Sequence, residues 1–399
     1  MAVSKIGLFI YVGVTILQSY YKMMIYDGQR RFFSFPYFGI QAKISTFAFM
    51  NILMCCSDLS YKGGMVSVVK GYLDYPDKGD VEITFVPTHR QGGKAAMALC
   101  FAKAYARIVR MAMTGKIDVA HLHVSERGSF VRKGLLLRTL RKMGVRTVLH
   151  HHGAEFEQYY ASASGRHKRF IRRTLEMADV NIVLSNRLVE MISGKAPAAK
   201  VEVLYNAVEV PAANPYSLTA SNILFLGRIG RRKGAYDLIE AVRRLDPVLP
   251  ADVKFLFCGD GEPEGIETLV EKHGLEHRVA HIGWIEGEKK KQFLHDTMIN
   301  VLPSYHEGLP MTILETMALG IPNISTHIAS IPEVITDGET GLLIEPGDID
   351  ALAAAISRLV NDDDERRRIS EASCSLISQK FSISSAFSKL THIYKSLIT

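Results

Sequence analysis

Ile299-Asn300-Val301-Leu302-Pro303-Ser304-Tyr305-His306-Glu307-Gly308-Leu309-Pro310-Met311-Thr312-Ile313-Leu314-Glu315 opens as an apolar run, breaks at a glycine turn and resumes with helical spacing. Strand, tight turn and helix in that order make half of a βαβ unit, and such a turn presents free backbone N–H groups to an anion. Pro310 suits the first helical position, where its missing donor costs nothing and its φ is already helical. Glu307 in the turn and Glu315, eight residues on and about two turns along the helix, bracket the element. Carboxylates repel phosphate, so the partners these two fit are hydroxyls of a sugar or ribose. The bland alternative is an ordinary helix carrying a solvated glutamate.

The same rhythm extends in both directions. Upstream, short apolar runs at Ile52–Cys56, Glu82–Pro87, Val119–Val124, Arg146–His150, Val180–Leu184 and Val201–Leu204 alternate with helical patterns. It resumes at Ile223–Leu226, Lys254–Cys258, Val279–Ile282, Ile299–Leu302, Asn323–Ser325 and Gly341–Ile344. Alternation of this kind predicts an α/β protein with two doubly wound, mainly parallel sheets. Val210-Pro211-Ala212-Ala213-Asn214-Pro215-Tyr216, with two prolines and no periodicity, reads as the hinge between them. The expected domains are residues 50–212 and 213–380, and a site between them belongs in the cleft at the carboxyl ends of the strands. Residues 381–399 form a final helix whose apolar face, Phe387, Leu390, Ile393, Tyr394 and Leu397, suits either domain.

Residues 1–49 fit this plan poorly. The apolar stretch Ile6–Leu17 has twelve residues, where a span of the bilayer needs about 20, and no small-residue cleavage site follows it. The pattern restarts at Met50, so residues 1–49 are read as an extension from a mis-assigned start or a disordered tail, with an interfacial membrane anchor as the alternative.

Three further clusters sit at strand ends. Gly227-Arg228-Ile229-Gly230-Arg231-Arg232-Lys233-Gly234 lies between a strand and a helix, so Arg228 and Lys233 can converge on a diphosphate. It is neither a Walker loop nor a dinucleotide fingerprint. Tyr61-Lys62-Gly63-Gly64-Met65 lets backbone approach a ligand closely. His150-His151-His152-Gly153 suggests metal, yet alternate strand residues face opposite ways, so the three cannot ligate one ion. His152, furthest out, is expected to face the cleft as a hydrogen-bond donor, the others having structural or surface roles; His121 and His123 read as strand residues. Asp348-Ile349-Asp350 is read as helix capping rather than a metal motif, and Asp362 to Arg368 as a charged helix start on the surface.

Composition narrows the class. Of 399 residues, 47% are hydrophobic and 22% charged, as in a globular protein of two domains. Five cysteines show no metal or disulfide spacing, which suits a reducing cytosol. The net charge of +7 is uneven: residues 50–212 carry 24 basic against 14 acidic side chains, and residues 213–399 carry 19 against 26. The first half therefore meets phosphate-rich material. No nucleic-acid motif accompanies the charge, which leaves an anionic membrane surface, with Lys103, Arg107, Arg110, Lys168, Arg169, Arg172 and Arg173 as candidate contacts.

Taken together, the clusters resemble the GT-B fold, retaining glycosyltransferases of family 4, the glycosyl transferases group 1 superfamily, over about residues 50–399. Glu307 and Glu315 match its paired-glutamate signature, Arg228 and Lys233 its basic loop, Gly63 and Gly64 its early glycine loop, and His152 with Gly153 its His-Gly. The resemblance implies that Glu315 holds the ribose of a nucleotide diphosphate sugar, GDP- or UDP-linked. Arg228 and Lys233 would hold the diphosphate, and the backbone of Gly308, Leu309, Pro310, Met311 and Thr312 the phosphate and sugar. Glu307 and His152 would touch the hexose, with the backbone around Gly259 and Ile285 at the base. It implies retention of configuration, no metal and no cofactor. His123-Val124-Ser125-Glu126-Arg127-Gly128-Ser129-Phe130-Val131-Arg132-Lys133-Gly134 looks like bacterial transferases that build exopolysaccharide or O-antigen units on lipid diphosphate carriers, peripheral on the inner face of the cell membrane. A GT-B nucleotide-sugar 2-epimerase and a silent sugar-nucleotide-binding subunit are the competing expectations.

Overall fold

The computed structural model describes residues 49–61, 63–153 and 155–398. The expected N-terminal extension, except Phe49, lies outside them. The described residues carry twelve strands in two sheets. The first lobe has β1 (Met50–Cys56), β2 (Val81–Pro87), β3 (Val119–Val124), β4 (Arg146–His151), β5 (Val180–Val183) and β6 (Val201–Val203), in the order β2-β1-β3-β4-β5-β6. The second has β7 (Asn222–Leu226), β8 (Lys254–Cys258), β9 (Val279–Gly283), β10 (Thr297–Leu302), β11 (Asn323–Thr326) and β12 (Leu342–Ile344), in the order β12-β11-β10-β7-β8-β9. Every ladder in both sheets is parallel. These are two Rossmann-like sheets in the GT-B arrangement, and each expected strand is present with its ends moved by at most two residues.

The physical reason is burial on both faces. All residues of β3, β5, β10 and β11 are buried, as in parallel strands covered on both faces, and polar members such as Asn300, Asn323 and Ser325 find their partners inside. Strand order reverses between β1 and β3 and again between β7 and β10. At such a reversal the crossovers leave to opposite faces and a crevice opens at the carboxyl ends of the strands.

The final helix, Ile383–Ile398, settles on the first lobe. Ala386, Phe387, Leu390, Ile393 and Tyr394 pack against Ile52, Met54, Val69 and Tyr72, each large apolar side chain contributing roughly 1.5–3 kcal/mol by leaving water. The chain crosses back beside its outgoing path: Val208 donates to the Phe381 carbonyl at 2.9 Å, and Ile383 donates to the Val208 carbonyl at 2.9 Å.

One reading needs correction. The charged stretch from Asp362 is only partly on the surface, because Arg366 is 2% exposed and donates into the carbonyls of Leu359 and Val360. Arginine's long fork reaches carbonyls left free at the end of the preceding helix. His150 and His151 are interior, so of the structural or surface roles expected for them the structural one applies. Asp348 caps its helix as expected, accepting from the Ala351 N–H at 2.9 Å.

Lys133, on the helix Gly128–Lys142, is 1% exposed with Cys55 and Cys56 as its electrostatic neighbours, and burial pulls its ammonium down to about 8. That shift corresponds to a cost on the order of 3 kcal/mol while both folded and unfolded chains are protonated. The cost is present in full below pH 8 and is relieved between there and the unfolded lysine value near 10.4, because the folded chain releases its proton first. Lys133→Met is expected to raise the thermal midpoint at pH 7, and the gain should shrink as melting is repeated toward pH 10.

Candidate functional site

The second lobe builds its site where β7 and β10 lie side by side. After β7 the chain turns through a short 3-10 segment, Arg231–Lys233, into Gly234 at φ 74°. A methyl group at Gly234 would lie 2.0 Å from the Pro303 carbonyl oxygen. Glycine is thus required twice, for its left-handed backbone and for its contact with the loop after β10. Tyr305 N–H donates to the Arg232 carbonyl at 2.9 Å and Arg232 donates to the His306 carbonyl at 3.1 Å, stitching the two loops together.

The stitching brings charges together. Lys233 Nζ donates to Glu307 Oε1, which also accepts from Ser304 Oγ at 2.7 Å. Glu307 is 8% exposed. Burial holds the Lys233 ammonium below its ordinary value, opposed by the Glu307 carboxylate. Arg228, by contrast, is exposed and has no ion-pair partner among the described residues.

The helix Met311–Ala318 starts one residue later than expected. Pro310 is its cap, with ψ 122°, not its first turn, so Glu315 is the fifth helical residue and sits nearer the N-terminus than two turns. Glu315 Oε2 accepts from Lys290 Nζ at 2.8 Å. Leu309 is buried and its carbonyl accepts from Asn206 Nδ2, of the first lobe, at 2.8 Å. Gly308 stands opposite the first lobe as well: a methyl there would be 4.0 Å from the His152 carbonyl oxygen, and one at Gly64 would touch Met311 Cγ at 3.4 Å. Gly63, Gly64 and His152 are thereby set along the same crevice as Gly308 to Thr312. Gly259 packs where a methyl would meet the Gly227 carbonyl at 1.8 Å, and its N–H donates to the Gly283 carbonyl at 2.9 Å. Ile285 is buried among Leu226, Leu256 and Cys258, so only its backbone is available to a ligand.

The histidines form a column through the first lobe. Strand alternation separates His151, which donates to Asn181 Oδ1 at 3.1 Å on one face, from His150 and His152 on the other. There His152 Nε2 and His123 Nδ1 share a hydrogen bond at 2.9 Å, and His121 bridges His150 Nδ1 at 3.1 Å and Tyr394 Oη at 2.5 Å. Burial pulls His121 and His152 down to about 3, so the column is neutral near pH 7. His121, His123 and His150 have ring nitrogens within 4.8 Å of one another, the metal-ligand spacing found among the described residues. This trio spans β3 and β4, so it forms across neighbouring strands and not within the consecutive triplet His150-His151-His152. It lies beside the Lys133 cation, which disfavours a second positive charge.

Lys290 and Asn206 were not legible as site residues. Lys290 belongs to a run of three lysines whose individual directions depend on how its helix docks, and Asn206 acts across lobes.

The family model for Glycosyltransferase Family 4 matches residues 61–210, and that for Glycosyl transferases group 1 matches residues 212–374. The alpha-D-kanosaminyltransferase of Streptomyces kanamyceticus is 32% identical over 176 residues, 44% of this chain and 45% of that one. The lipopolysaccharide core biosynthesis glycosyltransferase of Rhizobium meliloti is 33% identical over 187 residues, 46% of this chain and 51% of that one. The chain thus matches about half the length of these relatives. Sucrose-phosphate synthase from Thermosynechococcus elongatus shares the fold, with a TM-score of 0.70 and 20% identity over 87% of this chain and 99% of that one.

Gly234→Ala imposes a positive φ on a side chain that avoids it by roughly 1–2 kcal/mol and drives a methyl into the Pro303 carbonyl. The expected result is a lower thermal midpoint together with a separated Lys233–Glu307 pair, checked by calorimetry and by the crystal structure of the variant.

Proposed function

The chain belongs to the glycosyl transferases group 1 family, and on that premise we propose that it is a retaining, metal-independent hexosyltransferase. It moves a hexose from a nucleotide diphosphate sugar to a lipid-linked saccharide in bacterial surface polysaccharide synthesis. The observation that supports this reading is the meeting of Lys233 with Glu307 beside the start of the Met311–Ala318 helix at the β7–β10 reversal.

In this reading Lys233 exchanges Glu307 for a phosphate oxygen when the donor enters, and Arg228 closes on the same diphosphate. The cations and the helix N-terminus stabilise charge that grows on the leaving diphosphate. Glu307, released from Lys233, accepts from a hydroxyl of the hexose. Glu315 takes the ribose hydroxyls in exchange for Lys290. His152 is neutral and held from behind by His123, so it meets the hexose as a hydrogen-bonding group, not as a charge. The leaving diphosphate takes the acceptor's proton on the face from which it departs, which needs no protein nucleophile. Closing the lobes about the segment after Val208 excludes water from the donor.

The basic first lobe suits the cytoplasmic face of an anionic membrane. The helix Lys94–Met113 contains no acidic residue and exposes Lys103, Arg107 and Arg110 beside Leu99 and Met113. No helix of the described residues is long and apolar enough to cross a bilayer.

Lys233→Ala and Glu315→Ala are each expected to weaken donor binding by roughly tenfold or more, the scale of a lost charge-assisted hydrogen bond. Glu307→Ala should chiefly lower turnover. Isothermal titration with nucleotide sugars and single-turnover transfer separate the two effects; unchanged behaviour in all three variants defeats the assignment. Binding to phosphatidylglycerol vesicles should weaken steeply with salt, and replacing Lys103, Arg107 and Arg110 by glutamine should abolish it at about 1 kcal/mol per charge.

A further inference from the structure

The first-lobe helix Asn186–Lys195 is capped from two lobes. Ser185, its own cap residue, accepts from the Leu188 N–H at 3.4 Å. That leaves the N–H groups of Asn186 and Arg187, which have no carbonyl of their own helix to reach. Both meet one carboxylate of the second lobe: Asn186 N–H donates to Glu333 Oε2 at 3.1 Å and Arg187 N–H to Glu333 Oε1 at 3.4 Å. Glu333 Oε2 accepts twice more, from Asn186 Nδ2 at 3.1 Å and from Tyr205 Oη at 2.8 Å. Asn186 Nδ2 also donates to Tyr205 Oη at 3.0 Å, so the three side chains close a ring. No lysine or arginine pairs with Glu333 among the described residues. The positive end of the helix and two side-chain donors take that place. Beside them, Leu184 and Leu188 join the apolar core of the second lobe.

Glu333 is held firmly from behind. It ends the 3-10 turn Ile331–Glu333, whose Ile331 is buried and whose Pro332 fixes a backbone angle. Just before that turn, Ala329 sits at φ 48°, a left-handed conformation that alanine adopts only where its surroundings impose it. On the other side, the Tyr205 ring packs against Phe381 with centroids 5.1 Å apart, where the chain crosses back to the first lobe. The residue after Tyr205 is Asn206, which holds the Leu309 carbonyl at 2.8 Å. Two consecutive residues after β6 therefore grip two separate loops of the second lobe, the one after β11 and the one that begins the Met311–Ala318 helix. Both grips lie immediately ahead of Val208.

We propose that Glu333 is a positioning residue for transfer: its carboxylate pins the second lobe to the helix Asn186–Lys195 and, through Tyr205 and Asn206, fixes how Gly308 and Leu309 stand opposite His152. The effect on turnover rests on the transferase reading; the pin itself does not. A carboxylate suits the place because four donors of the first lobe converge on it, and an amide at position 333 would turn N–H groups toward some of them. In the transferase reading the nucleotide is held by groups of the second lobe. Loss of the pin therefore leaves nucleotide affinity in place and removes the alignment of the two walls of the crevice.

The test compares the full chain with its Glu333→Ala, Glu333→Gln and Tyr205→Phe variants. Amide hydrogen exchange resolved at single residues reads the pin directly. The Asn186 and Arg187 amides are expected to exchange at least tenfold faster in Glu333→Ala, while the Leu188 amide, capped by Ser185, keeps the parent's rate. The other two variants should fall between. Calorimetric titration with UDP and GDP should give affinities within twofold of the parent. Release of UDP from UDP-glucose, or of GDP from GDP-mannose, with a membrane extract supplying acceptor, should show kcat lowered tenfold or more in Glu333→Ala and partly restored in Glu333→Gln. A carboxylate with a merely structural role would instead speed exchange along the whole helix and lower the thermal midpoint without this split between affinity and turnover. The proposal is overturned by that outcome, by Asn186 and Arg187 amides that exchange as in the parent, or by a kcat within twofold of the parent's. A parent chain that releases no nucleotide from either sugar counts against the transferase reading, and the exchange rates then still uphold or overturn the pin.

Discussion

The close approach of Gly234 to the Pro303 carbonyl governs the second lobe's chemistry. Strands β7 and β10 are neighbours in space but separated by some seventy residues of chain, and each ends in a loop free to go elsewhere. A side chain at position 234 would force those loops apart; its absence lets them be stitched through Arg232, Tyr305 and His306. Lys233 and Glu307 then meet without any long side-chain excursion. The ion pair is a product of backbone contact, and it is partly withdrawn from water because the backbones are so near. That withdrawal gives it consequence: a surface pair contributes little, whereas one in a crevice is costly to break unless something takes its place.

The first lobe answers with a different device. Its face of the crevice carries a neutral column of imidazoles running inward from His152 to Tyr394. Hydrogen bonds fix His152 on His123 and His121 on His150 and Tyr394, and ring stacking between His121 and His123 joins the two groups. One wall of the crevice is thus charged and the other polar but neutral. Under the proposed function, this distribution separates a place for a charged leaving group from a place for a sugar.

Much of this was visible in the residues alone, for identifiable reasons. Strands buried on both faces need mainly apolar runs, and the twelve could be read from such runs together with the turn and helix patterns between them. The paired glutamates and the basic loop could be read because strand ends fix where loops begin. What escaped reading depended on docking. Nothing in Phe387 to Leu397 tells which sheet the helix covers, since both lobes offer apolar faces. Arg366 looked like a surface charge because its carbonyl partners are contributed by backbone, which leaves no mark on composition. Lys290 is indistinguishable from Lys289 and Lys291 until the helix Gly287–His295 is placed beside Glu315. The histidines of β3 and β4 were correctly put in strands, but their cross-strand contact required a register that single strands do not state.

The path of the last helix reaches beyond the site. Phe387, Leu390, Ile393 and Tyr394 complete the interior of the lobe that begins at Met50. A chain emerging from the ribosome therefore presents six strands of its first sheet long before the side chains that cover one face of it exist. During that interval Ile52, Met54 and Tyr72 have no partner from the end of the chain, and the second lobe is built while the first is still open on one side. The first lobe to be made is the last to be finished, and synthesis has to pass Tyr394 before either that buried tyrosine or the histidine column behind the crevice is in place.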